Sequence, residues 1–212
     1  DLLVSKAPVF DSRKATPGCI FLALKGEVAD GHDFAVDAYR SGAMFSLTTR
    51  RIDGPCIVVE DVLEALSILA TFVRKRLTNL KVIGITGSQG KTSTKDLLTH
   101  MLSNVGPTVS PAGSFNNDLG LPITLLECDE ETKYCILEMG ARHQGDIARL
   151  CTIAQPNIGV VLTVGTAHLG EFGSVEAIAE TKSELIQTLQ PEGIAVLGSY
   201  DKYTPAMSSL HS

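Results

Sequence analysis

Short apolar runs alternate with amphipathic stretches along most of the chain, and the alternation changes character once. In the first third, Ile20-Phe21-Leu22-Ala23-Leu24 and Cys56-Ile57-Val58-Val59 read as short buried strands, set off by turn chemistry at Pro17-Gly18 and Asp53-Gly54-Pro55. Between them, Phe34 through Arg40 predicts a short helix ended by Gly42. From Asp61, a helix-capping residue type, Val62, Ala65, Leu66, Leu69, Phe72 and Val73 follow helical spacing. That helix runs into Arg74-Lys75-Arg76, read as a solvated basic end, and Thr78-Asn79 mark a boundary.

Beyond it the pattern becomes repeated strand-helix units. Val82-Ile83-Gly84-Ile85-Thr86 predicts a buried strand, followed by a glycine-rich turn and a helix through Leu97, Leu98, Met101 and Leu102 that Gly106-Pro107 stops. Further strands are expected at Tyr134–Leu137, Ile158–Thr163 and Ile194–Leu197, with helices at Asp146–Ile153 and Val175–Leu189. Buried strands alternating with helices imply an α/β fold: a small N-terminal α/β domain over residues 1–79, then a mostly parallel, doubly wound sheet over residues 80–212.

Composition narrows the function classes. With 18 Lys+Arg against 24 Asp+Glu, the net charge of -6 argues against a broad basic face for nucleic acid. No apolar run reaches the roughly 18 residues of a membrane helix, and Asp1-Leu2-Leu3-Val4-Ser5-Lys6 does not read as a signal peptide. The five cysteines are odd in number and widely spaced, without a C-x-x-C pair, which fits free thiols in a reducing cytoplasm.

The sharpest chemical signal is Gly87-Ser88-Gln89-Gly90-Lys91-Thr92-Ser93 between a strand and a helix. Glycines let backbone N–H groups close around phosphate oxygens, and the helix N-terminus adds partial positive charge. Lys91 would neutralise the β- and γ-phosphates and the Thr92 hydroxyl would meet Mg²⁺. Ile85 stands where the full G-x-x-x-x-G-K-[ST] pattern has its first glycine.

Glu138 closes a strand at the edge of the sheet where the phosphate loop lies. A carboxylate there can hold Mg²⁺ against a nucleotide phosphate or cap the next helix. His168, in Gly165-Thr166-Ala167-His168-Leu169-Gly170, belongs to the same edge, although such a histidine is also a common hydrogen-bonded loop residue. Lys182 falls in the middle of an apolar stripe formed by Val175, Ile178, Ala179, Leu185, Ile186 and Leu189, opposite Glu176, Glu180 and Gln187. A lysine so placed must snorkel, pair with a carboxylate, lose its proton or be chemically changed. Asn116 and Asn117 lie in a dense turn cluster, Ser114 through Pro122, where local turn bonding is the simplest role.

The ordered set of these segments resembles the Mur ligase family. It comprises Asp11-Ser12-Arg13, Leu24-Lys25-Gly26, Asp30-Gly31-His32-Asp33-Phe34, Thr86 through Ser93, Phe115 through Pro122, Glu138-Met139-Gly140-Ala141, Ala167-His168-Leu169-Gly170 and Lys182. The shorter phosphate loop is normal in that family. The resemblance is strongest to members that add D-alanyl-D-alanine to UDP-N-acetylmuramoyl-tripeptide.

The resemblance implies an ATP-dependent amide ligase of cell-wall precursor synthesis, working in the cytoplasm as a monomer. Gly87, Ser88, Gln89, Gly90, Lys91, Thr92 and Ser93 would bind ATP. Thr92 and Glu138 would hold one Mg²⁺ and His168 would help hold a second. Lys182 matches the family lysine that reacts with carbon dioxide to form a carbamate, which also serves the metal site. Lys91, Glu138, His168 and Lys182 are then the catalytic set. Ser12, Arg13, Asp30, Gly31 and His32 would meet the UDP-sugar end of the acceptor, and Asn116 and Asn117 the substrate near the nucleotide. The family has a further C-terminal domain, absent from this sequence, so the ATP-binding domain is expected to be truncated and the chain alone inactive. Other Mur or folylpolyglutamate synthase-like ligases, and a non-catalytic nucleotide or UDP-precursor binding module, are the competing readings.

Overall fold

Parallel pairing organises both halves of the chain. The structure, a computed structural model, describes residues 4–167 and 169–211. It divides into two units, Asp1–Leu69 and Ala70–Ser212. That division falls inside a helix, whereas the sequence reading sets the boundary after Asn79.

In the first unit, strands β1 (Ile20–Leu22), β2 (Phe45–Thr48) and β3 (Cys56–Val58) form a parallel sheet in the order β1-β2-β3. Helix α1 (Ala35–Arg40) follows a 3-10 turn at Gly31–Phe34. Small side chains let the helix lie close to the sheet, so Ala35, Ala38 and Ala43 pack with Cys19, Phe21 and Ala23. Strand β2 carries no apolar run, and sequence pattern did not reveal it.

Helix α2 (Val62–Arg76) starts where Asp61 Oδ1 accepts the Glu64 N–H at 2.8 Å. Its end corrects the solvated reading of the basic run. Arg74 is buried and donates to the carbonyls of Ala154, Gln155 and Leu77 and to Asn157 Oδ1 at 2.9 to 3.2 Å.

In the second unit, the strands are β4 (Lys81–Thr86), β5 (Thr108–Val109), β6 (Tyr134–Glu138), β7 (Ile158–Val161) and β8 (Ile194–Leu197). They form a five-stranded sheet in the order β5-β6-β4-β7-β8, with every pair parallel. The helices are α3 (Lys91–Leu102), α4 (Gly120–Leu125), α5 (Asp146–Ala154), α6 (Leu169–Phe172) and α7 (Val175–Gln187). From β4 the chain moves to one side for β5 and β6, then to the other for β7 and β8. Sheets of this kind bind ligands at the C-terminal ends of the strands flanking that reversal. The register places Ile85 beside Glu138 and Thr86 beside Val161, so three strands end together there.

Alternation along β4 sends successive side chains to opposite faces. Ile83 and Ile85 join Ile136, Val160, Leu98 and Leu102 on one face, while Val82 packs with Leu137, Leu121, Leu125 and Ile147 on the other. Leu97 and Met101, which the sequence reading placed with this helix's apolar set, are exposed; Leu98 and Leu102 alone face the sheet. Helix α4 also replaces the expected turn cluster over its last residues.

Candidate active site

The phosphate loop is shaped by its glycines and tied to the next strand. Gly90 adopts φ +83° as the residue preceding α3, a left-handed conformation that a side chain disfavours. Ser88 N–H donates to the Thr163 carbonyl at 2.9 Å, and the Gly165 N–H donates to Ser88 Oγ at 2.8 Å. Lys91 Nζ folds back to donate to the Gly87 carbonyl at 2.7 Å. Burial lowers its pKa, and the nearby Glu138 carboxylate opposes that shift.

Glu138 is fully buried at the end of β6. The Thr92 hydroxyl donates to its Oε2 at 3.2 Å, while Oε1 has no hydrogen-bond partner among the described residues. An orphaned carboxylate oxygen in a buried position is costly, and a hard divalent cation beside it would remove that cost. Among the described residues no cluster of three His, Cys, Asp or Glu side chains could hold a metal. A single carboxylate with a neighbouring hydroxyl still fits Mg²⁺, which commonly completes its shell with phosphate oxygens and water. His168, expected at this edge, lies outside the described residues.

Lys182 is 9% exposed on α7, as its place in the apolar stripe requires. Burial, with Lys91 nearby, brings its pKa down to about 8. It has no hydrogen bond or ion pair among the described residues. The carboxylate two residues along, Glu184, is spent elsewhere: it accepts the Gly145 N–H at 2.6 Å and the Ala148 N–H at 2.9 Å, capping α5. Lys182 therefore stands in a sheltered place where the free amine is reached at lower pH than for an ordinary lysine.

Gly87, Lys91, Asn116, Asn117, Gly140 and Lys182 line one cavity of about 510 Å³. Asn116 forms part of its wall and is fastened to Gly140. Its carbonyl accepts the Gly140 N–H at 2.9 Å, and a Cβ on Gly140 would stand 2.9 Å from its Cγ. Asn117 Oδ1 accepts the Gly120 N–H at 3.0 Å, the local bonding expected of a turn residue. Arg142 and Arg149 line the same cavity, and Arg149 pairs with Asp118. Sequence reading missed both arginines, whose helical spacing around Asp146 carried no motif.

The residues assigned to a UDP-sugar lie in the first unit and bond to each other and to their neighbours there. Arg13 forms a pair of hydrogen bonds with Asp11, next to Ser12. His32 Nε2 accepts the Thr49 N–H at 2.9 Å, which leaves Nδ1–H to donate to Asp30 at 2.6 Å. The Asp30 carboxyl is held at about 2 by the His32 backbone N–H and ring, with Arg50 adding to them. Gly31 packs so closely on Leu24 that a Cβ would meet its backbone nitrogen at 2.7 Å.

Residues 85–211 match the Mur ligase middle domain, which is more than half of the chain. The chain belongs to the Mur ligase family. Residues 9–74 match a second model of that family, its catalytic domain. A Mycobacterium bovis relative, UDP-N-acetylmuramoyl-tripeptide–D-alanyl-D-alanine ligase, is 50% identical over 95% of this chain. The chain spans 44% of that relative's length. The crystal structure of MurF from Acinetobacter baumannii matches with a TM-score of 0.86 and 41% identity, covering 96% of this chain and 45% of that one. MurF from Thermotoga maritima in complex with ADP matches with a TM-score of 0.82 and 38% identity, covering 99% and 48%. The matched middle-domain segment includes Gly87 through Ser93, Glu138 and Lys182.

Proposed function

We propose that this chain supplies the nucleotide and acceptor sites of an ATP-dependent amide ligase. The ligase adds D-alanyl-D-alanine to UDP-N-acetylmuramoyl-tripeptide during peptidoglycan precursor synthesis in the cytoplasm. The observation that carries this reading is the buried Glu138, bonded through one oxygen to Thr92 of the phosphate loop and bare at the other. The ADP in the Thermotoga relative and the substrates in the mycobacterial relative's name support it.

In this reading the acceptor's terminal carboxylate attacks the γ-phosphorus of ATP, giving an acyl phosphate and ADP. The amine of D-alanyl-D-alanine then attacks the acyl carbon, phosphate leaves with the bonding pair, and the amine proton passes to solvent or a base. The loop N–H groups and Lys91 hold the phosphates where negative charge gathers. Thr92 and Glu138 would hold Mg²⁺, and His168 would serve a second ion. The metal supplies charge neutralisation at the transferred phosphoryl group. Lys182, without a partner among the described residues and with a lowered pKa, is suited to take up carbon dioxide as a carbamate, which would exchange a sheltered cation for an anion able to serve the metal site. Asn116 and Asn117 face the acceptor near the nucleotide. Ser12, Arg13, Asp30, Gly31 and His32 belong to a precursor-binding domain over residues 1–79 that meets the UDP end, and residues 80–212 form the ATP-binding domain.

The test is a chimera in which residues 1–212 replace the matching segment of the Mycobacterium bovis relative. ADP release should require both UDP-N-acetylmuramoyl-tripeptide and D-alanyl-D-alanine. A folded chimera that binds Mg·ATP but turns over with no acceptor and amine pair would indicate a binding module. Turnover with a single amino acid would indicate another ligase of the family.

A further inference from the structure

Lys95 stands one helical turn beyond Lys91 on α3 and is only 3% exposed. Its ammonium reaches into the segment that leaves β5. It donates to the Pro111 carbonyl at 2.8 Å and to the Gly113 carbonyl at 3.1 Å, and pairs with Asp96 Oδ1 at 2.9 Å. An ammonium has three protons, and three partners are present. The Asp96 carboxylate lies toward solvent, 66% exposed, so the two carbonyls are the inward partners.

The segment they belong to ends in Asn116 and Asn117, which line the cavity beside Lys91. Its far end is fastened by Asn116 to Gly140 and by Asn117 to the start of α4. Its near end is held by the short strand Thr108–Val109, by the buried Pro111 and by the Lys95 ammonium. Apolar contacts could hold such a loop against the domain at less desolvation cost than a buried cation. A charged donor also fixes the direction of two carbonyls two residues apart, which apolar packing does not.

We propose that Lys95 is a positioning residue, tying the phosphate-loop helix to residues 111–117 and so setting Asn116 and Asn117 against the cavity. The functional part of this proposal rests on the ligase reading above. It assigns one side chain of the nucleotide-binding helix to the acceptor side of the reaction.

Two measurements test it. In this chain without ligand, Lys95→Met should speed amide hydrogen exchange by about tenfold at Gly120, Leu121 and Gly140, whose N–H groups donate to Asn117 and Asn116, while the rest of α3 keeps its protection. In the chimera, Lys95→Met should raise KM for the acceptor by about tenfold and leave KM for ATP within about twofold, with Lys95→Arg restoring much of the loss. On an Asn116→Ala background the Lys95→Met effect on acceptor KM should largely vanish, because both act through one contact.

Unchanged exchange at Gly120, Leu121 and Gly140 overturns the proposal, as does a fall in Tm with unaltered acceptor KM, or an equal rise in both KM values. If Lys95→Met does not fold, Lys95→Gln carries the same expectations at smaller size, and an unchanged loop overturns the proposal there too. Exchange is read without substrate, so a wild-type chimera lacking turnover sinks the ligase reading alone.

Discussion

The Thr92 hydroxyl holds one oxygen of the buried Glu138 carboxylate at 3.2 Å and leaves the other without a partner among the described residues. That asymmetry makes the anion a ligand waiting on the phosphate side of the sheet. Glu138→Gln keeps an acceptor for Thr92 and removes the charge. Titration calorimetry of this chain with ADP should show the strengthening by Mg²⁺ fall by at least about tenfold, with metal-free ADP binding little changed. Equal Mg²⁺ dependence in the variant would remove Glu138 from the metal site.

Lys182 gives a pH signature. Its folded pKa of about 8 lies below the ordinary 10.5. Between those values the unfolded chain binds more protons than the native one, so stability rises with pH across that window. Below about 8 the ammonium is charged in both states and the burial penalty is present in full. In buffer free of carbon dioxide, Lys182→Met should therefore stabilise the chain at pH 7 by about 1–3 kcal/mol and flatten the rise between pH 8 and 10.5. The same substitution should abolish turnover in the chimera. Thermal melts across pH decide it: a variant less stable than wild type at pH 7 would show that the ammonium is not buried at a cost.

Arg74 is the reverse case, a buried cation whose fork is filled by backbone carbonyls of residues 77, 154 and 155 and by Asn157. Arg74→Met takes the side-chain donor from the Ala154 and Gln155 carbonyls, while the Leu77 carbonyl and Asn157 Oδ1 keep the Leu80 and Val82 N–H groups, and should lower stability by about 3 kcal/mol. Arg74→Lys should recover little, since one ammonium cannot reproduce the planar fork. Urea midpoints measure both.

Asp201 fastens the segment after β8 to the end of β7. Burial raises its pKa, but hydrogen bonds from the Val164 and Thr204 N–H groups and the Thr204 and Thr163 hydroxyls outweigh it, holding the carboxyl at about 2. With the folded pKa below the ordinary 3.8, its contribution is complete above that value and is lost as pH falls toward about 2. Asp201→Asn should lower stability at pH 7 and make the acid limb of the stability curve shallower. An unchanged acid limb would assign that loss to other carboxylates.

What the sequence made legible was local. The phosphate loop, the strand ending in Glu138 and the helix burying Lys182 are written in residue types and spacings within single elements. Strand β2 was not, because Phe45-Ser46-Leu47-Thr48 buries Ser46 and Thr48 as fully as its apolar neighbours and so shows no strand alternation. Arg74 looked solvated because its acceptors arrive from residues about eighty positions later. Lys95 was silent for a related reason: its partners are backbone carbonyls, which no side-chain pattern reports.

The placement of β4 in the middle of its sheet sets a timetable for a chain made from its N-terminus. Its two neighbours, β6 and β7, are both synthesised later, as is Gly165, which donates to Ser88. At about 5–20 residues per second, the stretch from Thr86 to Val161 takes roughly 4–15 seconds to make. Until Glu138 is made, both edges of Lys81–Thr86 lack their partner strands, and until Val161 is made one edge still does. The bonds that tie Ser88 to Thr163 and Gly165 can therefore form only after both flanking strands have been made.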